Sequence, residues 1–174
     1  MDLAFVKQSV RNIPDYPKPG INFKDVTSAY GDPAVFHFVS TSIADKYSNL
    51  GITKVLGIES RGFILGGSLA DRLGAGFVPI RKSGKLPAAV FSQSFDLEYG
   101  SDTLEIHQDA LSSDDVVLIH DDILATGGTM AAAISLVRRF GVSKIYVNAF
   151  IELDFLAGKE LLDPAIPVWS LIHF

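Results

Sequence analysis

Residues 116–130, VVLIHDDILATGGTM, decide the fold. Val116, Val117, Leu118 and Ile119 form an unbroken apolar run, the pattern of a strand buried on both faces. Asp121 and Asp122 follow at its carboxyl end, and Ala125-Thr126-Gly127-Gly128-Thr129 then opens an alanine-rich stretch of helical character. This strand–turn–helix order belongs to a parallel α/β sheet, where ligands bind at the carboxyl ends of strands. The turn offers backbone N–H groups, two hydroxyls and two glycines that allow close approach, which together make an anion cradle. No Lys follows the second glycine, so it is not a Walker A loop. Two carboxylates beside a phosphate would repel it unless they face another part of the ligand. A sugar diol is their natural partner, and they also attract metal ions. A ligand with a 5-phosphate and free ribose hydroxyls satisfies both halves. The plainer alternative is an acidic helix cap before a glycine turn.

The flanking pattern extends this reading. Residues 2–11 form a short helix capped by Asp2, and residues 12–25, with three prolines and a glycine, an ordered loop. Asp32-Pro33 is a strong helix start, cap then first turn, for a helix running to about Leu50 before Gly51. A strand over 54–58, a helix over about 62–73 and a strand over 76–80 follow. The stretch 92–107 alternates around a Tyr-Gly-Ser-Asp turn and predicts two antiparallel strands. A strand over 115–120, a helix over 128–140, a strand over 143–151 and a last strand near 167–172 complete the pattern. The predicted fold class is α/β, a mostly parallel central sheet flanked by helices, in one domain over residues 1–174. Three loops then converge: 59–62, 81–87 and 121–129.

Composition narrows the function classes. The chain has 174 residues, enough for one well-cored domain, and 48% hydrophobic with 20% charged residues is a globular balance. A net charge of −5 argues against a nucleic-acid surface, so any polyanion must be held locally. No apolar run approaches the ~18 residues of a membrane span, and residues 1–12 lack a signal pattern. Zero cysteines exclude thiol catalysis and thiolate metal sites and fit a cytoplasmic protein. His37, His107 and His173 show no metal-ligand spacing. His120, just before the aspartates, is expected to be buried and neutral.

The stretch Asp121–Thr129 resembles the phosphoribosyl pyrophosphate (PRPP) motif of the type I phosphoribosyltransferases. Glu59-Ser60-Arg61-Gly62-Phe63, followed by residues 78–87 (VPIRKSGKLP), narrows the resemblance to the adenine phosphoribosyltransferase family. Residues 16–25 (YPKPGINFKD) and Leu97-Glu98-Tyr99-Gly100 match the same family, so the likeness spans roughly residues 11–155. It implies the type I fold with a flexible antiparallel hood over the site, at about 83–104, and a base-recognition segment at about 11–30.

The resemblance also implies roles. Asp121, Asp122, Ala125, Thr126, Gly127, Gly128 and Thr129 would hold the ribose and 5-phosphate. Glu59, Ser60, Arg61, Arg81, Lys82 and Lys85 would surround the pyrophosphate, on a loop with a cis peptide near Glu59–Ser60. Arg61 can offer bidentate contacts there. The three cations at 81–85 have the plainer reading of a solvated loop face. Asn22, Phe23, Lys24 and Leu153 would hold adenine: Phe23 stacks, and the Lys24 backbone donates to N1 and accepts from the 6-amino group. A 6-oxopurine reverses both contacts. Phe23 alone would pass for core packing, and Glu98 alone for a hairpin surface charge. Within its motif, Glu98 is the acid–base residue that adjusts the imidazole proton as N9 attacks.

The implied reaction transfers the 5-phosphoribosyl group from PRPP to adenine, giving AMP and pyrophosphate. Mg²⁺ would be held through substrate oxygens, without a dedicated set of protein ligands. The family also implies a homodimer. Two other readings stay open: a non-enzymatic nucleotide sensor on the same fold, and a transferase specific for 6-oxopurines. Against the first, no DNA-binding segment is present; against the second, the proline-rich segment at 16–25 matches the adenine family.

Overall fold

A computed structural model describes residues 1–96 and 100–174. Leu97, Glu98 and Tyr99, and with them the expected acid–base residue, lie outside the described residues. The chain opens with helix α1 (Leu3–Ser9), capped by the Asp2 carboxylate, which accepts the Phe5 N–H at 2.9 Å. Strands β1 (Arg11–Ile13) and β2 (Phe23–Asp25) precede a one-turn helix α2 (Thr27–Tyr30) and helix α3 (Pro33–Tyr47). Next come β3 (Lys54–Ile58), α4 (Gly62–Leu73), β4 (Gly76–Lys82), β5 (Val90–Asp96) and β6 (Ser101–His107). Strand β7 (Val116–Leu124), α5 (Gly128–Arg138), β8 (Lys144–Glu152) and β9 (Val168–His173) complete the chain. Two 3-10 turns, Asp154–Leu156 and Gly158–Leu161, join the last two strands.

Among the described residues, seven strands make one sheet in the order β5-β6-β4-β3-β7-β8-β9. The run β4-β3-β7-β8-β9 is parallel, and β6 pairs antiparallel with both β4 and β5. Two apolar layers cover the sheet, as a parallel sheet requires. Val117 and Ile119 face the layer that contains Ala133, Leu136 and Val137 of α5. Leu118 faces the layer built from Val35, Val39 and Ile43 of α3 and from Leu65 and Leu69 of α4. Burying each such side chain stabilises the fold by about 1.5–3 kcal/mol. The four apolar residues at the start of β7 are thus what hold the strand in the middle of the molecule.

Helix starts follow their signals. The Asp32 carboxylate accepts the N–H groups of Ala34 (2.8 Å) and Val35 (3.1 Å), with Pro33 in the first turn where its missing donor costs nothing. The C-terminal ends depart from expectation: α3 stops at Tyr47 and α5 at Arg138. Gly51, with φ 67°, still marks the reversal after α3. Residues 12–25 are not loop throughout, because β1 and β2 pair in a separate two-stranded ladder with Ile13 opposite Phe23. Strands of three residues are too short to show alternation in the sequence.

The larger correction concerns β7. It does not end at residue 120 but continues in register to Leu124, with Asp121 opposite Ala149 and Ile123 opposite Ile151. Both aspartates therefore lie inside the strand. Among the described residues, no helix is long and apolar enough to cross a membrane.

Candidate active site

Close packing brings the loops together. A Cβ on Gly62 would stand 2.9 Å from the His120 carbonyl oxygen and 3.0 Å from Asp121 Oδ1. Only a glycine lets the start of α4 rest on β7 at that distance. Arg61, immediately before it, is thereby delivered to Asp122, with Nε 2.7 Å from Oδ2. The N–H does not point along that line, and among the described residues the buried Oδ2 has no aligned hydrogen bond, so the contact is an ion pair. The Glu59–Ser60 peptide bond on this loop is cis.

A cavity of about 670 Å³ opens beside this loop, lined by Glu59, Ser60, Arg61, Lys82, Lys85 and Asp102 and also by Asp121, Asp122 and Thr129. Each of its cations is already paired. Lys82 Nζ lies 2.8 Å from Asp102, Lys85 contacts Glu59, and Arg61 contacts Asp122. Glu59, expected among the pyrophosphate contacts, is an acid that organises the bases around it. Its carboxylate also accepts the Lys82 N–H at 3.0 Å and Arg81 Nε at 3.3 Å. Burial works to raise its pKa, but Lys85, the Lys82 amide and Arg81 outweigh it and hold the group at about 2. Arg81 does not line the cavity; it spans Glu59 and the Lys85 carbonyl, 3.3 Å from each. Glu105 anchors the other side of the same loop, accepting Ser83 Oγ at 2.8 Å and the Gly84 N–H at 2.9 Å.

The two aspartates are neither exposed nor equivalent. Asp122 is 3% exposed. Burial raises its pKa, with Arg61 pulling the other way. Asp121 is raised well above the ordinary carboxylate range, first by burial and then by the Asp122 charge beside it. Asp121 Oδ1 also accepts the Asp122 N–H at 2.9 Å.

The glycine turn at 125–129 is held from outside. Gly127 adopts φ 86° as the residue before α5, a conformation that favours glycine. Gly158 packs directly against it: a Cβ on Gly127 would stand 2.2 Å from the Gly158 carbonyl oxygen. A niche of about 70 Å³ lies on the turn, lined by Ala125, Thr126, Gly127, Thr129 and Asp121 among others. The N–H groups at the head of α5 suit an anion there.

A second large cavity, about 840 Å³, brings together Asn22, Phe23, Lys24 and Leu153, the four residues that the resemblance assigns to the base. Phe23 meets Tyr16 edge-to-face at 5.3 Å. Lys7, Phe155, Leu156 and Phe174 also line the cavity, and none was singled out in the sequence. Lys7 and Lys24 place their Nζ atoms 4.5 and 4.2 Å from the Phe174 ring centre. Neighbours so distant along the chain leave no local signal. Arg61, Asp121, Asp122 and Thr129 are common walls of both large cavities, and Asp121 and Thr129 also border the niche.

His120 is fully buried, its Nδ1 2.7 Å from Asn148 Oδ1. The Asn148 amide nitrogen donates to the Trp169 carbonyl at 3.0 Å, which turns its oxygen to the histidine and makes Nδ1 the donor. Burial lowers the pKa to about 4, so the ring is neutral near pH 7, as expected. His173 is less isolated than its spacing suggested. It bonds Asp154 at 2.8 Å, and Glu152, Asp154 and His173 bring ligand-type atoms within 4.8 Å of one another.

The phosphoribosyl transferase domain family model matches residues 27–162. An adenine phosphoribosyltransferase of Bacteroides thetaiotaomicron is 54% identical over 165 residues, 95% of this chain and 94% of that protein. The crystal structure of the adenine phosphoribosyltransferase from Rhodothermus marinus superposes with a TM-score of 0.93 at 48% identity, covering 99% of this chain and 98% of that one. The enzyme of Giardia lamblia, solved in complex with 9-deazaadenine, gives 0.95 at 44%, covering 100% and 98%. By this family match and these identities the chain belongs to the phosphoribosyl transferase domain family, among its adenine phosphoribosyltransferases.

Proposed function

We propose that the protein transfers the 5-phosphoribosyl group of PRPP to adenine, forming AMP and pyrophosphate. The observation that carries this reading is the meeting of three cavities at Asp121 and Thr129. PRPP and adenine together need a chamber with cationic side chains for the pyrophosphate, a phosphate niche and an aromatic chamber around one ribose. On this reading the ribose hydroxyls bind at Asp121 and Asp122, and the 5-phosphate sits on the Ala125–Thr129 amides. The pyrophosphate lies among Ser60, Arg61, Lys82 and Lys85. Adenine lies between Phe23 and Leu153 and is read by the Lys24 backbone, within the segment at 11–30. The 9-deazaadenine complex of the Giardia lamblia relative supports a purine ligand of this kind.

The chemistry follows from this layout. Adenine N9 attacks ribose C1 from the aromatic chamber while the C1–O bond to pyrophosphate breaks toward Lys82 and Lys85. The bonding electrons leave with the pyrophosphate oxygen. Glu98, assigned by resemblance, would accept the proton that the imidazole ring gives up as the new bond forms. Lys82, Lys85 and Arg61 orient the leaving group, and their existing acidic partners fix where they stand. Mg²⁺ carried on the substrate's oxygens would supply leaving-group neutralisation. A cavity whose cations are all paired and whose walls carry Glu59, Asp102, Asp121 and Asp122 is suited in charge to that addition.

A homodimer belongs to the same reading, supported by Ile64 and Phe77, which leave apolar surface exposed on the neighbouring α4 and β4. A cytoplasmic location rests on the cysteine-free composition. The experiment is to supply PRPP, Mg²⁺ and adenine and to follow AMP and pyrophosphate together. Equal amounts of both are expected, and no AMP would refute the assignment.

A further inference from the structure

Arg61 touches more than the anion chamber. Its guanidinium carbon lies 5.3 Å from the centre of the Phe23 ring, over the aromatic surface assigned to the base. The same side chain makes the ion pair with Asp122 and borders both large cavities. Its backbone is fixed at the head of α4, but the side chain keeps 35% of its surface exposed and has no aligned hydrogen bond to Asp122. A ring beneath the guanidinium and a carboxylate beside it make a resting place that is favourable yet open to competition.

We propose that Arg61 is a gate between the two chambers: in the free protein its guanidinium covers the base-stacking face of Phe23, and an anion in the neighbouring chamber draws it away and uncovers that face. The inference rests on the base and pyrophosphate assignments above and adds a coupling between them. A doubly charged phosphate group among Lys82 and Lys85 offers Arg61 a bidentate partner, which Asp122 at its present angle does not. The anion therefore binds the uncovered state better than the covered one, and only such a difference can shift the balance. Linkage makes the effect mutual: adenine must tighten the anion by the factor with which the anion tightens adenine. One consequence runs against the ordinary expectation for a binding-site residue. Removing Arg61 should weaken pyrophosphate binding but strengthen adenine binding to the otherwise empty protein.

The test is calorimetric titration of adenine into the wild type, Arg61→Ala and Arg61→Gln, with and without magnesium pyrophosphate. Thermal melts establish that each variant is folded, and the Gln variant keeps a polar group beside Asp122. In the wild type, pyrophosphate should raise adenine affinity by about threefold to tenfold, the scale of displacing one cation from an aromatic face. Both variants should bind adenine alone more tightly than the wild type by a similar factor. An adenine affinity in the empty variants equal to or below that of the wild type overturns the gate. A separate arm addresses the assignment beneath it: Phe23→Leu should lose adenine affinity with or without pyrophosphate. If it does not, or if no protein binds adenine under any condition, the base assignment fails and the gate with it.

Discussion

Gly158 and Ala125 meet backbone to backbone: a Cβ built on Gly158 would stand 1.9 Å from the Ala125 carbonyl oxygen. The 3-10 turn after β8 thus supports the phosphate-type turn after β7, across more than thirty residues of chain. No side chain can be added there without moving backbone. Gly158→Ala should therefore displace the 125–129 turn, lowering affinity for AMP at least about tenfold, with a loss of stability on the order of 1–3 kcal/mol from overpacking. Titration with AMP beside a denaturant melt checks both, and wild-type AMP affinity would count against the buttress.

Asp121 should be a residue that costs stability. Its folded pKa is raised, so the fold favours the neutral acid. That advantage is full at low pH and is lost as pH rises through the folded pKa. Asp121→Asn keeps the acceptor for the Asp122 N–H and mimics the neutral acid. The variant should therefore melt higher than the wild type at pH 8, by on the order of 1 kcal/mol or a few degrees, and converge with it in acid. PRPP use should fall at the same time, since the ribose loses a charged acceptor. A lower melting point at pH 8 would contradict this.

Glu59 has the opposite sign. Its folded pKa of about 2 lies below its ordinary 4.5, so its contribution is present above about pH 4.5 and vanishes as pH falls toward 2. Glu59→Gln should be less stable than the wild type at pH 7 and indistinguishable near pH 2. It should also bind pyrophosphate several-fold more weakly, because Arg81, the Lys82 amide and Lys85 lose the acid that sets the loop. If Glu59 instead merely repels the ligand, the Gln variant binds pyrophosphate more tightly. Pyrophosphate titration separates the two.

Local signals carried much of this molecule. The apolar run at 116–119, the Asp32-Pro33 start and the alternation at 92–107 each name their own element, because each is settled by neighbouring residues. What stayed hidden is long-range. Nothing near Asp121 announces that β7 continues past it, since the β8 ladder, not aspartate's own preference, keeps the strand extended. The pairing of Glu59 with a loop more than twenty residues on, and the approach of Phe155, Leu156 and Phe174 to Phe23, depend on chain closure. Glu105 did leave a trace: an acid between the buried Leu104 and Ile106, where a strand on this sheet has no room for an unpartnered charge.

Glu98, assigned by resemblance, is expected to act on the chemical step more than on binding. Glu98→Gln should lower kcat by at least about tenfold while PRPP affinity barely changes, because acid–base groups typically contribute 10²–10⁴-fold. Single-turnover kinetics beside PRPP titration separates the steps. An unchanged chemical rate would reduce Glu98 to a surface charge.

Base choice is the most direct test. With PRPP and Mg²⁺ present, kcat/KM is measured for adenine, hypoxanthine and guanine by pyrophosphate release. Adenine should be preferred by two or more orders of magnitude: if the Lys24 backbone reads the base as proposed, a 6-oxopurine would leave its donor and acceptor both unpaired, at roughly 1–3 kcal/mol each. Hypoxanthine turned over as well as adenine would contradict the assignment of this site to adenine.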